Sequence, residues 1–300
     1  MLIKFGFELR LTCTQDTPLV LLLSVRQEQR RFLLVKDDLH VAPDIPPDAY
    51  IDSFGNRCTR LSAPRNTQIT ISAYGLMQHD GQPDPVLADI KAQPIAELPA
   101  DALRFLLSSR YCEADLLTPY AWSRFAATAP GWPRVQAICD FVHQHIRFSY
   151  GDARPTRSAN DVMLEGVGVC RDFAHLAIAL CRAMGIPARY TTGYLGDIGV
   201  PVAPGPMDFS AWFEAFLDGR WVTFDARHNR PRIGRIPIAY GQDAADVAFV
   251  TSFGPHVLNS FRVWTDQAPA PDIACTLAAR APRFATRDEA ASPPATIGQD

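Results

Sequence analysis

The sequence lacks the features that mark membrane-spanning, nucleic-acid-binding and exported proteins. The longest apolar run near its start, Leu19 to Val25, is too short to cross a bilayer and is ended by Arg26. Its 29 Lys and Arg residues nearly balance 32 Asp and Glu residues, so no surface for nucleic acid or a membrane is expected. The first residues contain no basic stretch followed by an apolar block, so we expect no signal peptide and a cytoplasmic location.

Closely spaced cysteines are also lacking, because no CxxC pair occurs. An odd number of widely spaced cysteines predicts reduced, mostly buried thiols in a cytosolic protein. No cluster has zinc-type spacing and no calcium-loop pattern is present, so we expect no metal and no other cofactor. The open question is whether one cysteine is a nucleophile. The seven cysteines are Cys13, Cys58, Cys112, Cys139, Cys170, Cys181 and Cys275.

Charged residues are sparse, at 20%, whereas 47% of the residues are hydrophobic. This composition excludes a mostly disordered chain, and 300 residues correspond to one large or two medium domains. In the first 80 residues apolar and polar side chains alternate, most clearly from Ile3 to Leu11. We therefore predict an N-terminal antiparallel β-sandwich domain that, together with a proline-containing linker after Gln78, occupies residues 1–95.

Helical periodicity begins near residue 100. Apolar spacing predicts helices over 133–146 and 170–184, and Gly185 is placed to end the second of them. The pair Asp218-Gly219 lies between two apolar runs and predicts a β-hairpin. The predicted class is α+β, with helices packed on an antiparallel sheet in residues 96–267 and a partly disordered tail, rich in Pro and Ala, over 268–300.

One stretch has the composition of a reactive site: Gly-Val-Gly-Val-Cys-Arg-Asp at residues 166–172. It places Cys170 in the first turn of a predicted amphipathic helix. The unpaired N–H groups and partial positive charge of a helix N-terminus favour a thiolate and stabilise an oxyanion. We therefore expect the pKa of Cys170 to be lowered, although a buried cysteine that merely begins a helix is the alternative.

This stretch, together with Gly185-Ile186-Pro187-Ala188-Arg189-Tyr190, resembles the core of the transglutaminase-like superfamily. Members are papain-related cysteine enzymes with a Cys-His-Asp triad, in which the cysteine begins a helix and the other two residues lie on the following strands. The N-terminal β-region resembles an additional domain found in a bacterial branch of the superfamily. The resemblance covers most of residues 1–265.

The resemblance assigns two of the three triad positions to matching residues. Cys170 matches the nucleophile and Asp225 matches the aspartate that orients the histidine. The position of the histidine, directly before the Ala-Trp pair, is occupied by Ser210. A serine hydroxyl is not a general base at neutral pH, so the activation of the thiol is in question.

The hairpin register gives a separate reason to place Asp225 at the site. If the ladder continued ideally from the Asp218-Gly219 turn, Trp212 would face Asp225, and Ser210 would face Arg227. All four side chains would then share one face, and a histidine at position 210 would reach Asp225 diagonally. Trp212 would wall the site, unless it is a plain core residue.

Two residues are candidates to replace the missing base. In the ideal register His228 lies on the face opposite Asp225, but a bulge or the end of the strand at Arg227 would bring it round. Arg227 would pair with Asp225 or stabilise a thiolate, or else be a solvated charge at the strand end. His175 is expected to lie about 140° around the helix from Cys170, as a buried histidine.

Two functions follow, and the sequence leaves both open. The first is a cysteine peptidase or amidase that acts on a peptide or protein amide through a thioester on Cys170, with Ser210 acting through a water and His228 or Arg227 supplying charge as a variant. The second is a catalytically degenerate member whose cleft binds a peptide or partner protein, because Ser210 replaces the histidine. The sequence does not indicate an oligomeric state.

Overall fold

The first 80 residues form strands of two antiparallel sheets in the computed structural model, which describes residues 1–203 and 205–269. Ile3, Phe5 and Phe7 are buried while Lys4 and Glu8 are partly exposed, which is the predicted alternation. The seven strands are β1 (Leu2–Cys13), β2 (Thr17–Leu21), β3 (Leu33–Val35), β4 (His40–Ala42), β5 (Asp48–Ile51), β6 (Arg57–Ala63) and β7 (Thr67–Gln78).

Five α-helices and six more strands follow among the described residues. The helices are α1 (Ala100–Leu103), α2 (Ala114–Phe125), α3 (Trp132–His145), α4 (Ala159–Glu165) and α5 (Cys170–Ala183). The strands are β8 (Arg147–Phe148), β9 (Val167–Gly168), β10 (Ala188–Tyr194), β11 (Ser210–Leu217), β12 (Arg220–Phe224) and β13 (Ile236–Gly241). The helices predicted over 133–146 and 170–184 are α3 and α5, and the α+β class is confirmed.

The chain then returns to the N-terminal sheets. The last two described strands are β14 (Val250–Ser252) and β15 (His256–Ala268). Strand β14 pairs with β2, and β15 pairs with β1 from one end to the other, so the first sheet has the order β15-β1-β7-β3 with β4 also on β7. Residues predicted within the 96–267 domain thus complete the β-sandwich. Residues 1–268 form one compact unit, and the division at residue 95 stays a prediction.

The predicted tail over 268–300 lies almost wholly outside the described residues, as does Cys275. Within the described residues, no helix is long and apolar enough to cross a membrane.

Helix α5 is the centre of the second half of the fold. It packs against α2, α3 and α4 on one side and against β10 and β11 on the other. Every residue from Asp172 to Arg182 is therefore buried, not only the predicted apolar stripe. Arg182 is accommodated because its guanidinium donates to the carbonyls of Leu107, Ala188 and Gln242. Gly185 ends the helix with φ 72°, as predicted.

The β-hairpin that follows α5 has the predicted turn but a shorter ladder than an ideal extension would give. Asp218 and Gly219 both have positive φ, and the paired residues begin at Leu217 and Arg220. Pairing ends at Phe213 and Phe224, so the expected Trp212–Asp225 and Ser210–Arg227 pairs are wrong. Strand β12 stops because the chain turns directly after Phe224.

The hairpin strands belong to a separate four-stranded sheet with the order β12-β11-β10-β13. The segment predicted as a linker is irregular and is hydrogen-bonded to residues next to this sheet. Asp84 accepts hydrogen bonds from the backbone N–H of Arg232 and from Nε of Arg235. The N–H of Trp132 donates to the carbonyl of Ile90 at the start of α3. The segment therefore contacts the residues that surround Asp225.

Candidate active site

The approach to Cys170 is shaped by two glycines with different roles. Gly166 ends α4 with φ 63°, a conformation that favours glycine. Gly168 pairs with Phe148 in the β8–β9 ladder, and a Cβ atom there would lie 2.6 Å from the Cβ of Asp172. Gly168 thus makes room for the buried carboxylate of Asp172.

The carboxylate of Asp172 fixes the first turn of α5. It is fully buried, and its Oδ2 accepts the N–H of Val169 at 2.9 Å, the residue just before the helix. Arg171 lies 3.1 Å and Arg157 3.4 Å from its oxygens. Arg171 therefore forms an ion pair with Asp172, whereas Arg189 pairs with Glu214. Cys170 therefore sits on a rigid helix start.

Residue Cys170 is partly exposed although its sulfur is largely surrounded by protein, whereas the other five cysteines of the described residues are buried. Desolvation by the surrounding chain raises the pKa of Cys170, although the cation of Arg227 and the backbone N–H groups of Ala211 and Arg171 lower it. Asp208 adds to the increase. The expected lowering of this pKa is therefore wrong, because two N–H groups and one cation do not offset the desolvation. The surrounding protein therefore favours the neutral thiol over the thiolate.

Ser210 lies at the start of β11, beside Ala211. Its residue is 6% exposed, and its Oγ has no hydrogen-bond partner among the described residues. Its carbonyl accepts the Thr192 hydroxyl at 3.1 Å. The position is thus buried near the thiol, but the hydroxyl of Ser210 forms no hydrogen bond with Cys170 or with Asp225.

Asp225 is held by two other groups. Its Oδ2 lies 2.8 Å from Nδ1 of His228 and 2.9 Å from Nη2 of Arg235, and its Oδ1 accepts the backbone N–H of His228. Burial alone would raise the pKa of Asp225, but Arg235 and the hydrogen bonds from His228 outweigh it and hold the pKa well below its usual range. Asp225 is therefore an ionised, buried carboxylate.

His228 reaches Asp225 because β12 ends before it, which is the alternative that the sequence left open. The turn after Phe224 brings the imidazole round, and its side chain remains 19% exposed. Since Nδ1 donates to the carboxylate, Nε2 is the unprotonated nitrogen of the neutral ring. Within the described residues, no hydrogen bond joins a histidine to Cys170.

Arg235 is the site residue that sequence reasoning missed. Its guanidinium bridges Asp225 and Asp84 and lies 4.9 Å from the ring centroid of Trp212. It follows Asp225 by ten residues, past a turn, and neither periodicity nor spacing distinguishes it from the nearby Arg230 and Arg232. Trp212 is 1% exposed, so it packs on this cation as a core residue.

Arg227 does not pair with Asp225. Its guanidinium lies 4.1 Å from the ring centroid of Phe148, and its carbonyl lies 2.9 Å from Nδ1 of His143. Stabilisation of a thiolate, another role considered from the sequence, stays a prediction, although the charge of Arg227 lowers the pKa of Cys170.

The remaining helical histidines are structural. His175 is fully buried, stacks on Tyr111 and accepts the N–H of Ala244 through Nε2, as the buried-histidine interpretation predicts. Burial lowers the pKa of His175 to about 3, against the opposing charge of Asp243. His145 contacts the carbonyl of Met163 from the last turn of α3.

Two cavities flank Asp225 and Arg235, and Cys170 lines neither. One, of about 240 Å³, is lined by Asp225 and Asn229 among others, and the second, of about 250 Å³, by Arg235 and Trp212. No group of three or more His, Cys, Asp or Glu residues in the described part of the chain is arranged to hold a metal ion.

Comparisons with known proteins support the resemblance to the transglutaminase-like superfamily. The core of the transglutaminase-like superfamily matches residues 123–226, which contain Cys170, Ser210 and Asp225. A crystal structure from Cytophaga hutchinsonii, of a chain named as a candidate cysteine protease, is 31% identical with a TM-score of 0.76. The match covers 90% of this chain and 93% of that one.

Two mycobacterial proteins are similar over a shorter length. An uncharacterized protein of Mycobacterium leprae is 27% identical over 207 residues, which is 66% of this chain and 73% of that protein. An uncharacterized protein of Mycobacterium tuberculosis H37Rv is 29% identical over 215 residues, which is 65% of this chain and 68% of that protein. The chain belongs to the transglutaminase-like superfamily, with an N-terminal β-domain added to the shared core.

Proposed function

We propose that this protein is a cysteine peptidase or amidase that forms a thioester between Cys170 and the acyl group of a peptide or protein amide. One observation carries the proposal: a partly exposed cysteine is the first residue of a buried helix, and its sulfur is faced by backbone N–H groups, Arg227 and the start of β11. The similarity to a chain named as a candidate cysteine protease supports it.

In the proposed reaction the sulfur of Cys170 attacks the amide carbonyl, and the N–H groups at the start of α5 stabilise the oxyanion. The C–N bond breaks as the S–C bond of the thioester forms, and the amine leaves with a proton. Water then cleaves the thioester, which releases the acid and restores the thiol. The raised pKa of Cys170 requires a base for the first step.

His228 is the proposed base. Its Nδ1 is anchored on Asp225, so its Nε2 is free to accept the thiol proton, directly or through one water. In the variant route Ser210 relays the proton through a water while the cation of Arg227 stabilises the thiolate. The two routes differ in whether activity depends on the imidazole of His228.

A degenerate peptide-binding protein is the second candidate, and Ser210 favours it. The buried hydroxyl, which has no partner in the part of the chain that the structure describes, stands at the position to which the resemblance assigns the superfamily's histidine. The pKa of the neighbouring Cys170 is raised by desolvation, as expected for a cysteine that has no histidine beside it. In that case the cleft would still bind the peptide but would not cleave it.

The test uses the full chain with p-nitrophenyl acetate and a panel of peptide amides. Intact mass measures an acyl adduct on Cys170, and product release measures turnover. Turnover that is lost in Cys170→Ala and reduced at least ~100-fold in His228→Gln supports catalysis by the proposed base. An inert wild type that gains turnover in Ser210→His establishes the degenerate alternative.

A further inference from the structure

Arg227 is held beside the proposed nucleophile by contacts on both its side chain and its backbone. The guanidinium lies over the ring of Phe148 at 4.1 Å from the centroid, and His143 contacts the Arg227 carbonyl at 2.9 Å. Phe148 pairs with Gly168, two residues before Cys170, so the ring that supports the cation belongs to the ladder that leads into the nucleophile. The position of the guanidinium is therefore fixed relative to the sulfur.

Among the described residues, no carboxylate lies within ion-pair distance of Arg227, although Asp208 is near enough to interact with its charge. Each of the other arginines around this site, Arg157, Arg171 and Arg235, lies within 4.0 Å of a carboxylate oxygen. Arg227 forms no such ion pair among the described residues, and its side chain is partly exposed. A partly exposed guanidinium fixed on an aromatic ring, with Tyr150 as a hydrogen-bonding neighbour, has further donors that match the geometry of a carboxylate.

We propose that Arg227 binds a carboxylate of the substrate next to Cys170, so that the preferred substrate is an acidic peptide whose scissile amide lies beside that carboxylate. This inference rests on the proposed function and names the substrate class of the same site. The carboxylate belongs either to an Asp or Glu side chain or to the C-terminus of the peptide. Both sources present the same planar, bidentate acceptor.

Asp208 limits this preference. Desolvation raises the pKa of its carboxylate, and it is near enough to Arg227 for the cation to oppose that increase. It also raises the pKa of Cys170. A negative charge at this position repels an incoming carboxylate, so its removal should strengthen the selectivity for acidic substrates.

The first experiment compares two alkylating reagents that differ only in charge, iodoacetate and iodoacetamide. In both reactions the S–C bond forms, the C–I bond breaks, iodide leaves and the thiol proton goes to the buffer. Both reagents consume the same thiolate, so the ratio of their rates at Cys170 removes the effect of any pKa change. The ratio reports how strongly the site attracts a carboxylate close to the sulfur.

Arg227→Gln should lower the iodoacetate-to-iodoacetamide ratio about tenfold at low salt, and added salt should reduce the difference. Asp208→Asn should raise the ratio. Arg230→Gln is the matched control, because it removes the same charge from an exposed side chain three residues away and should leave the ratio unchanged. A wild-type ratio equal to that of Arg227→Gln overturns the proposal, whether or not the protein has turnover.

The second experiment identifies the source of the carboxylate with three peptides of one sequence. One has a Glu beside the scissile bond and an amidated C-terminus, one has Gln and a free C-terminus next to that bond, and one has Gln and an amidated C-terminus. Binding to Cys170→Ala is measured by calorimetry. One of the first two should bind at least ~10-fold more tightly than the third, with the difference lost in Cys170→Ala combined with Arg227→Gln. Equal binding of all three contradicts the assignment.

Discussion

The Nδ1 atom of His228 lies 2.8 Å from the Oδ2 atom of Asp225, across the turn that follows β12. An ideal continuation of the strand would place these side chains on opposite faces. The backbone N–H of His228 donates to the other oxygen of Asp225, so the carboxylate itself holds the turn that brings the imidazole back to it. An aspartate and a histidine are therefore paired next to the matched core, although position 210, to which the resemblance assigns the histidine, is a serine.

Ser210→His should lower the pKa of Cys170. An imidazolium next to the sulfur would add a second positive charge to that of Arg227, and such a neighbour lowers a pKa by about one to three units. The pH dependence of iodoacetamide alkylation measures the change. In the wild type the inflection should lie above that of a free thiol, because desolvation raises the pKa of Cys170. Ser210→Ala is the control and should keep the wild-type inflection, and an unchanged inflection in Ser210→His would show that position 210 does not contact the sulfur.

Arg235→Leu should destabilise the fold strongly. The side chain is 6% exposed and its guanidinium neutralises two carboxylates, Asp225 and Asp84. Its removal leaves both carboxylates without their shared cation, although hydrogen bonds from His228 and Arg232 remain, at a cost of about 3–5 kcal/mol in the free energy of unfolding. Urea unfolding followed by circular dichroism measures this loss. Arg230→Leu, at an exposed position, should change stability by less than about 0.5 kcal/mol, and equal effects of the two substitutions would refute the prediction.

The buried His175 should make stability fall in mild acid. Burial lowers the pKa of His175 to about 3, whereas the unfolded chain binds that proton near pH 6.5. Since the unfolded state then binds more protons than the folded state, stability is complete above about pH 6.5 and is lost as the pH falls toward 3. The slope contributed by this one group is about 1.4 kcal/mol per pH unit.

Urea midpoints at pH 7.5, 6.5, 5.5 and 4.5 test this dependence. His175→Gln keeps an acceptor for the N–H of Ala244 but removes the titrating ring, so its stability should depend less on pH over that interval. His256→Gln alters an exposed histidine and should follow the wild type. Parallel curves for His175→Gln and the wild type would mean that His175 takes up its proton in the folded state.

The sequence predicted the features that depend on neighbouring residues. Helix α5 was predictable because its apolar spacing and Gly185 act within a few residues, and the hairpin because Asp218-Gly219 favours the left-handed conformations that a two-residue turn needs. The assignment of Cys170, Ser210 and Asp225 came from the superfamily resemblance. The pairing of Asp225 with Arg235 was not predictable, since it depends on a turn and on Asp84 from the linker.

Longer-range features were also hidden in the sequence. The return of β15 to β1 joins residues about 250 positions apart, and no local pattern encodes such a pairing. The raised pKa of Cys170 depends on how much protein surrounds the sulfur, whereas its position at a helix start predicts only the opposing contribution. In both cases tertiary packing determined the outcome.

Asp172→Ala should loosen the helix start that carries Cys170, and Asp161 provides a matched control. Both carboxylates occupy the third position of a helix and accept the N–H of the residue before it, Val169 in α5 and Ser158 in α4. Asp161 is partly exposed, so Asp161→Ala should cost about 1 kcal/mol, the usual value for a helix cap. Asp172 is fully buried against Arg157, and its loss leaves that guanidinium with fewer partners, so Asp172→Ala should cost about 3 kcal/mol.

Urea unfolding measures both costs, and alkylation of Cys170 below the unfolding transition should change only in Asp172→Ala. Equal costs and equal alkylation profiles for the two variants would show that Asp172 is an ordinary cap that does not position the thiol.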